Sequence, residues 1–102
     1  MEIKTNVKEN VAEITPIGRL DTTTAPELEN VLKEILEQGI SELELDFADV
    51  EYVSSAGLRV LLYAQKSVNE NGRMVIRNVR PEIMEVFDMT GFADILTVEG
   101  AA

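Results

Sequence analysis

Ser54 and Ser55 stand in the run Tyr52-Val53-Ser54-Ser55-Ala56-Gly57-Leu58-Arg59-Val60-Leu61-Leu62, where a short apolar stretch gives way to an apolar helical pattern. A serine at a strand-to-helix junction is exposed, held by the helix start and next to the positive end of the helix dipole. Two roles follow. The serine can simply cap the helix, with Gly57 there only to let the helix approach a sheet. Alternatively it can accept a phosphoryl group, which adds about −1.5 to −2 charge and three acceptor oxygens at a place whose free N–H groups tolerate them. Arg59, four residues after Ser55, falls on the same helix face and can pair with that group. The fold then survives modification. A flush contact with another protein does not, because a desolvated dianion without a partner is costly.

Little else in the chain can do chemistry. It has no histidine and no cysteine, which removes Ser-His-Asp and Cys-His nucleophiles, histidine phosphotransfer and the commonest metal ligands. A nucleophile elbow needs glycine two residues before the serine, and Val53 is there. Lys66, the one lysine in the same helical stretch, lies about three turns from Ser55. Glycine-rich phosphate cradles are absent. Asp46, Asp49 and Glu51 read as a solvated acidic turn, and Asp21 as a cap or loop hydrogen-bond acceptor ahead of a helix. We therefore expect no enzyme activity, no catalytic residue, no metal and no cofactor.

Composition agrees with a binding protein. The 102 residues are 45% hydrophobic and 27% charged, which fits one folded domain over residues 1–102. The net charge of −10 disfavours nucleic acid and anionic membrane as partners and steers basic surfaces toward the protein. Charge and size also favour a monomer when free. Glu2, Lys4, Lys8 and Glu9 interrupt any signal peptide, and the uncharged apolar stretch Val60 to Ala64 is far too short to span a bilayer. The lack of cysteine fits a reducing cytoplasm.

The elements that must position the serines follow from hydrophobic periodicity. Ile3, Thr5 and Val7 alternate with polar residues, as do residues 11–17, so two half-buried strands form a hairpin around Lys8-Glu9-Asn10. Pro16 suggests an edge or a strand end. Residues 18–24 read as a loop. Thr24 and Glu27 fit a capping box, with Pro26 in the first helical turn. Leu28, Val31, Leu32, Ile35 and Leu36 make the buried stripe, and Gly39 the stop. Leu43, Leu45 and Phe47 mark a third strand, and Ala48 to Glu51 a turn. A second helix runs from Ser55 or Ala56 to about Asn69, buried through Leu58, Leu61, Leu62, Gln65 and Val68, and ends at Asn71-Gly72. Met74 to Ile76 is a fourth strand. Pro81 opens a third helix through Ile83, Met84, Val86 and Phe87, Thr90-Gly91-Phe92 turns the chain, and residues 95–98 are a fifth strand. The fold class is α/β: a small mixed sheet of about five strands, mostly parallel after an N-terminal hairpin, with helices packed on it.

Three of these segments, in order along nearly the whole chain, resemble the STAS domain, specifically the bacterial anti-sigma factor antagonists. Gly18-Arg19-Leu20-Asp21 is similar to that family's Gly-x-Leu-Asp loop. Residues 52–58 are similar to its signature of aromatic, apolar, Asp, Ser, Ser or Thr, Gly, Leu. Phe87-Asp88-Met89-Thr90-Gly91-Phe92 resembles its late aromatic-to-glycine stretch. The resemblance implies partner switching. The unphosphorylated protein binds an anti-sigma factor that is also a serine kinase and so releases a sigma factor; phosphorylation breaks the complex, and a phosphatase restores it. It implies Ser55 as the phosphoacceptor, with Ser54, which stands where the family usually has Asp, as a second hydroxyl. It places the kinase-docking surface on Asp21, Thr22, Thr23, Ser54, Ser55, Ala56, Gly57, Leu58 and Arg59. The family also tends to carry a helix after the last strand, for which there is room only for a few residues after Val98. The same fold also serves as a non-enzymatic docking subunit of anion or lipid transport systems, the alternative reading. A third is a small-anion site at the second helix start, against which the negative charge argues.

Overall fold

Residues 1–68 and 72–101 are described by a computed structural model. The N-terminal alternation builds the expected hairpin. Strand β1 (Glu2–Lys8) and strand β2 (Val11–Leu20) pair antiparallel, from Glu2 opposite Ile17 to Lys8 opposite Val11. The tight turn is closed by Glu9 in the left-handed region at φ 58°. β1 is less buried than its alternation suggests: only Ile3 is partly covered, because β1 is the outermost strand of the sheet.

β2 is the strand on which the sheet turns. It pairs parallel with β3 (Glu42–Asp46) along Val11 to Ile14, and parallel with β4 (Val50–Val53) along Gly18 to Leu20. Pro16 is thus neither on an edge strand nor at a strand end. It lies in the interval between the two parallel partners, where no ladder bond is asked of a residue without an N–H. Gly18 to Leu20, expected as loop, are strand, with a register shift at Gly18 and Arg19 and Gly18 at φ 109°. Val50 and Glu51, expected in a turn, belong with Tyr52 and Val53 to β4, a sixth strand beyond the five expected.

β3 pairs parallel with β5 (Arg73–Val79), and β5 with β6 (Val98–Gly100), giving the order β1-β2-β3-β5-β6 with β4 attached to β2. β6 is shorter and later than expected. Phe92–Asp94 form a 3-10 turn, which leaves Ile95 exposed and Leu96 buried before the strand begins.

Three helices cover one face: α1 (Ala25–Glu37), α2 (Ser55–Val68) and α3 (Pro81–Thr90). Ala12, Ile14, Leu43, Leu45, Met74 and Ile76 share one core with Leu28, Leu32, Leu61, Ile83 and Phe87 from the helices. Gly39, at φ 85°, ends α1 as expected. Along α2 the buried set is Gly57, Leu58, Val60, Leu61, Ala64 and Val68, with Leu62 and Gln65 only partly covered. The expected end of this helix at Asn69 and Asn71 lies outside the described residues. The opposite face of the sheet is polar, with Arg77 bridging Glu44 at 3.3 Å and Glu99 at 3.6 Å. No described helix is long and apolar enough to cross a membrane.

Candidate functional site at the start of helix α2

The β2–β4 pairing assembles the site. Arg19 lies opposite Tyr52 and Leu20 opposite Val53, and the ladder is extended by the Ser54 N–H donating to the Leu20 carbonyl at 2.8 Å. The chain leaves the sheet at this level twice, through Asp21 into α1 and through Ser54 into α2. Two segments far apart in sequence thereby become neighbours at one end of the molecule.

The two serines have different jobs. Ser54 caps α2: its hydroxyl accepts the Gly57 N–H at 3.2 Å and its carbonyl accepts the Leu58 N–H at 2.9 Å. Ser55 is the first helical residue and is exposed. Its side-chain hydroxyl makes no hydrogen bond to the described residues, and only its backbone carbonyl is contacted, by Arg59 Nε at 3.5 Å. One hydroxyl is therefore committed to the helix and its neighbour is free to react.

Asp21 organises the other half. Its carboxylate accepts the Thr23 N–H at 3.0 Å, the Thr24 N–H at 3.1 Å and the Thr23 hydroxyl at 2.8 Å. Thr24 does not form the expected capping box. Its hydroxyl donates to the Arg19 carbonyl at 2.7 Å and accepts the Asp21 N–H at 2.8 Å, and Glu27 instead approaches the N-terminal amine at 3.5 Å. A carboxylate three residues earlier thus takes the Thr24 N–H that Glu27 was expected to accept, and the Glu27 N–H donates to the Thr24 carbonyl at 2.9 Å. The Thr23 hydroxyl first, then the Thr24 N–H, hold the Asp21 carboxyl below its ordinary value of 3.8, since both favour the ionised form.

Close approach is secured by Gly57. A Cβ there would lie 2.7 Å from Leu20 Cγ and 3.1 Å from the Leu20 carbonyl oxygen, so only glycine lets α2 sit this low on β2. Sequence reasoning missed two neighbours of the site, Arg19 and Tyr52. The Arg19 guanidinium lies 4.3 Å from the centroid of the Tyr52 ring and 3.8 Å from the Asp21 carboxylate, in cation–π range. No local signal marks this pair, because the β2–β4 register creates it.

A shallow cleft of about 270 Å³ runs between the starts of α1 and α2, lined by Thr22, Ala25, Pro26 and Glu29 on one side and by Ala56, Arg59 and Val60 on the other. Of the residues expected at the docking surface, Asp21, Thr22, Thr23, Ser54, Ser55, Ala56 and Arg59 are brought together around this end and are at least partly exposed. Gly57 and Leu58 are buried beneath it, so they support the surface and do not form it. Asp46, from the acidic turn, is occupied by the Ala48 N–H at 3.0 Å and the Asn78 side-chain amide at 3.1 Å.

With the geometry established, comparison with known proteins places the chain. The family model of the STAS domain matches residues 2–101. The chain belongs to the STAS domain family. Among STAS relatives, the anti-sigma-B factor antagonist of Staphylococcus epidermidis is 32% identical over 99 residues, covering 96% of this chain and 92% of that protein. An anti-sigma factor antagonist from Mycobacterium paratuberculosis superposes with a TM-score of 0.87 at 19% identity, covering 96% of this chain and 84% of that one. SpoIIAA from Bacillus in its phosphorylated form superposes with a TM-score of 0.74 at 18% identity, covering 95% and 90%. At these last identities the likeness is one of fold. The mixed sheet, its mostly parallel order and its three helices are those of the STAS fold.

Proposed function

We propose that this STAS domain, spanning residues 1–102, is an anti-sigma factor antagonist without enzymatic activity of its own, acting in the cytoplasm and monomeric when free. Its unphosphorylated form docks an anti-sigma factor with serine kinase activity and so releases a sigma factor. The docking surface comprises Asp21, Thr22, Thr23, Ser54, Ser55, Ala56 and Arg59, supported from below by Gly57 and Leu58.

The observation that carries this function is the division of labour between the serines: Ser54 is spent as a cap while the Ser55 hydroxyl is exposed and has no hydrogen bond among the described residues. The sequence relatives, named anti-sigma-B factor antagonists, support it over the transport-subunit alternative. In the switching step the γ-phosphoryl group of ATP, held by the kinase, passes to Ser55 Oγ; the Oγ–P bond forms, the bond to ADP breaks, and the hydroxyl proton leaves to the kinase or solvent. The new dianion sits at the α2 start, where free N–H groups accommodate it. Inside a closed interface it is desolvated, and a penalty of about 4 kcal/mol weakens docking roughly a thousandfold. A phosphatase then restores the hydroxyl.

The test is incubation with the anti-sigma kinase from the native cell and ATP, followed by mass spectrometry. We expect one phosphate on Ser55 in wild type and none in Ser55→Ala. Phosphate confined to Ser54, or no phosphate at all, refutes the assignment.

A further inference from the structure

The nine basic residues of this chain face nineteen acidic ones, yet Arg59 has no ion pair among the described residues. Among the described residues its exposed side chain makes one polar contact, the 3.5 Å approach of Nε to the Ser55 carbonyl. It also forms part of the α2 wall of the cleft, facing the α1 wall that carries Glu29. Glu29 is itself engaged with Lys33 at 3.9 Å, and Asp21 with its threonines and Arg19. Glu29 and Asp21 are therefore already partnered, and among the described residues Arg59 is left without an ion pair.

We propose that Arg59 is a positioning residue with two places to be. With Ser55 unmodified it lines the cleft between α1 and α2; once Ser55 carries a phosphate, Arg59 moves along its own helix face onto the phosphate oxygens and leaves Ala56 and Val60 as the α2 side of the cleft. This rests on Ser55 as the acceptor and adds a second consequence of the modification. The phosphate places charge in the interface and also removes a side chain from the cleft beside it. The driving force is the stronger hydrogen bonding of a guanidinium to a phosphate than to a neutral carbonyl, over the one-turn spacing at which helical side chains meet.

Phosphoserine installed co-translationally at position 55 tests this without any kinase, so its outcome is separate from whether the kinase chooses Ser55. The second ionisation of the phosphate is followed by phosphorus NMR in the otherwise wild-type chain, in Arg59→Gln and in Arg59→Lys. Amide shifts of Thr22, Ala25 and Glu29 are recorded with and without the phosphate. We expect the ionisation to lie about half a pH unit lower with Arg59 than with Gln, with Lys in between. Phosphorylation should also displace the three α1-side amides in wild type and much less in Arg59→Gln. Equal ionisation in wild type and Arg59→Gln overturns the contact; a lowered ionisation with unmoved α1-side amides overturns the coupling to the cleft.

Discussion

Replacing Gly57 with alanine sets two effects of opposite sign against each other. Gly57 is the third residue of α2, and glycine in a helix is less favourable than alanine by at most about 1 kcal/mol. On helix propensity alone Gly57→Ala should stabilise the protein. The added Cβ, however, meets Leu20 Cγ at 2.7 Å, Leu20 Cδ2 at 3.0 Å and the Leu20 carbonyl oxygen at 3.1 Å. Leu20 is fully buried, and its carbonyl is fixed by the Ser54 N–H. Turning the side chain aside moves Cγ only by disturbing the core, and the oxygen cannot yield without loosening the β2–α2 junction. Overpacking of this kind costs about 1–3 kcal/mol, so the net loss is about 1 kcal/mol. Urea unfolding should show a lower midpoint at unchanged slope, and Tm should fall by roughly 4–8 °C. In a Leu20→Ala background the two side-chain contacts are gone and only the 3.1 Å approach to the carbonyl oxygen remains, so the penalty of Gly57→Ala should shrink, a coupling of about 0.5–3 kcal/mol. A midpoint that rises in the otherwise wild-type chain, or a penalty undiminished when Leu20 is truncated, refutes the close contact as the reason for glycine.

Three further outcomes follow from the site. Ser55→Asp should leave Tm nearly unchanged, since the residue is exposed and an acid suits the first turn, while calorimetric affinity for the anti-sigma kinase falls steeply; equal affinity of the two proteins sinks the electrostatic switch. Ser54→Ala should cost about 1 kcal/mol of stability through loss of the cap, measurable in urea, whereas Ser55→Ala should cost almost none; equal losses contradict the division between the serines. Asp21 has a lowered carboxyl pKa in the folded state, so its stabilising contribution is complete above the ordinary value of 3.8 and is lost as pH falls through the lower folded value. Asp21→Asn should therefore lower stability at neutral pH and flatten its decline across the acid range, as read by Tm against pH; an unchanged acid slope counts against the hydrogen bonds assigned to Asp21.

Where local chemistry suffices, periodicity located the elements. The hairpin, the apolar stripe of α1, the proline openings of α1 and α3 and the glycine stop after α1 are consequences of a few adjacent residues. The pair of hydroxyls at a helix start was legible for the same reason. Misreadings arose where a distant partner decides. Pro16 looked like an edge residue because a sequence does not show that β2 changes neighbours around it. Val50 and Glu51 looked like a turn because four residues are too few for alternation to register. Thr24 and Glu27 satisfied a capping pattern that the Asp21 carboxylate pre-empts.

By itself the sequence determined what chemistry was available: two adjacent hydroxyls at a helix start, no histidine or cysteine anywhere in the chain, and a net charge of −10. Side-chain type and helical spacing are local properties, so these needed no fold. The tertiary structure decided which serine is free and what stands next to it. Both depend on the short parallel pairing of β2 with β4, whose backbone hydrogen bonds set Asp21, Arg19 and Tyr52 beside the start of α2, and on the bare Gly57 that lets the helix settle there. A four-residue strand carries too little pattern to announce its partner, and only the packed sheet supplies one.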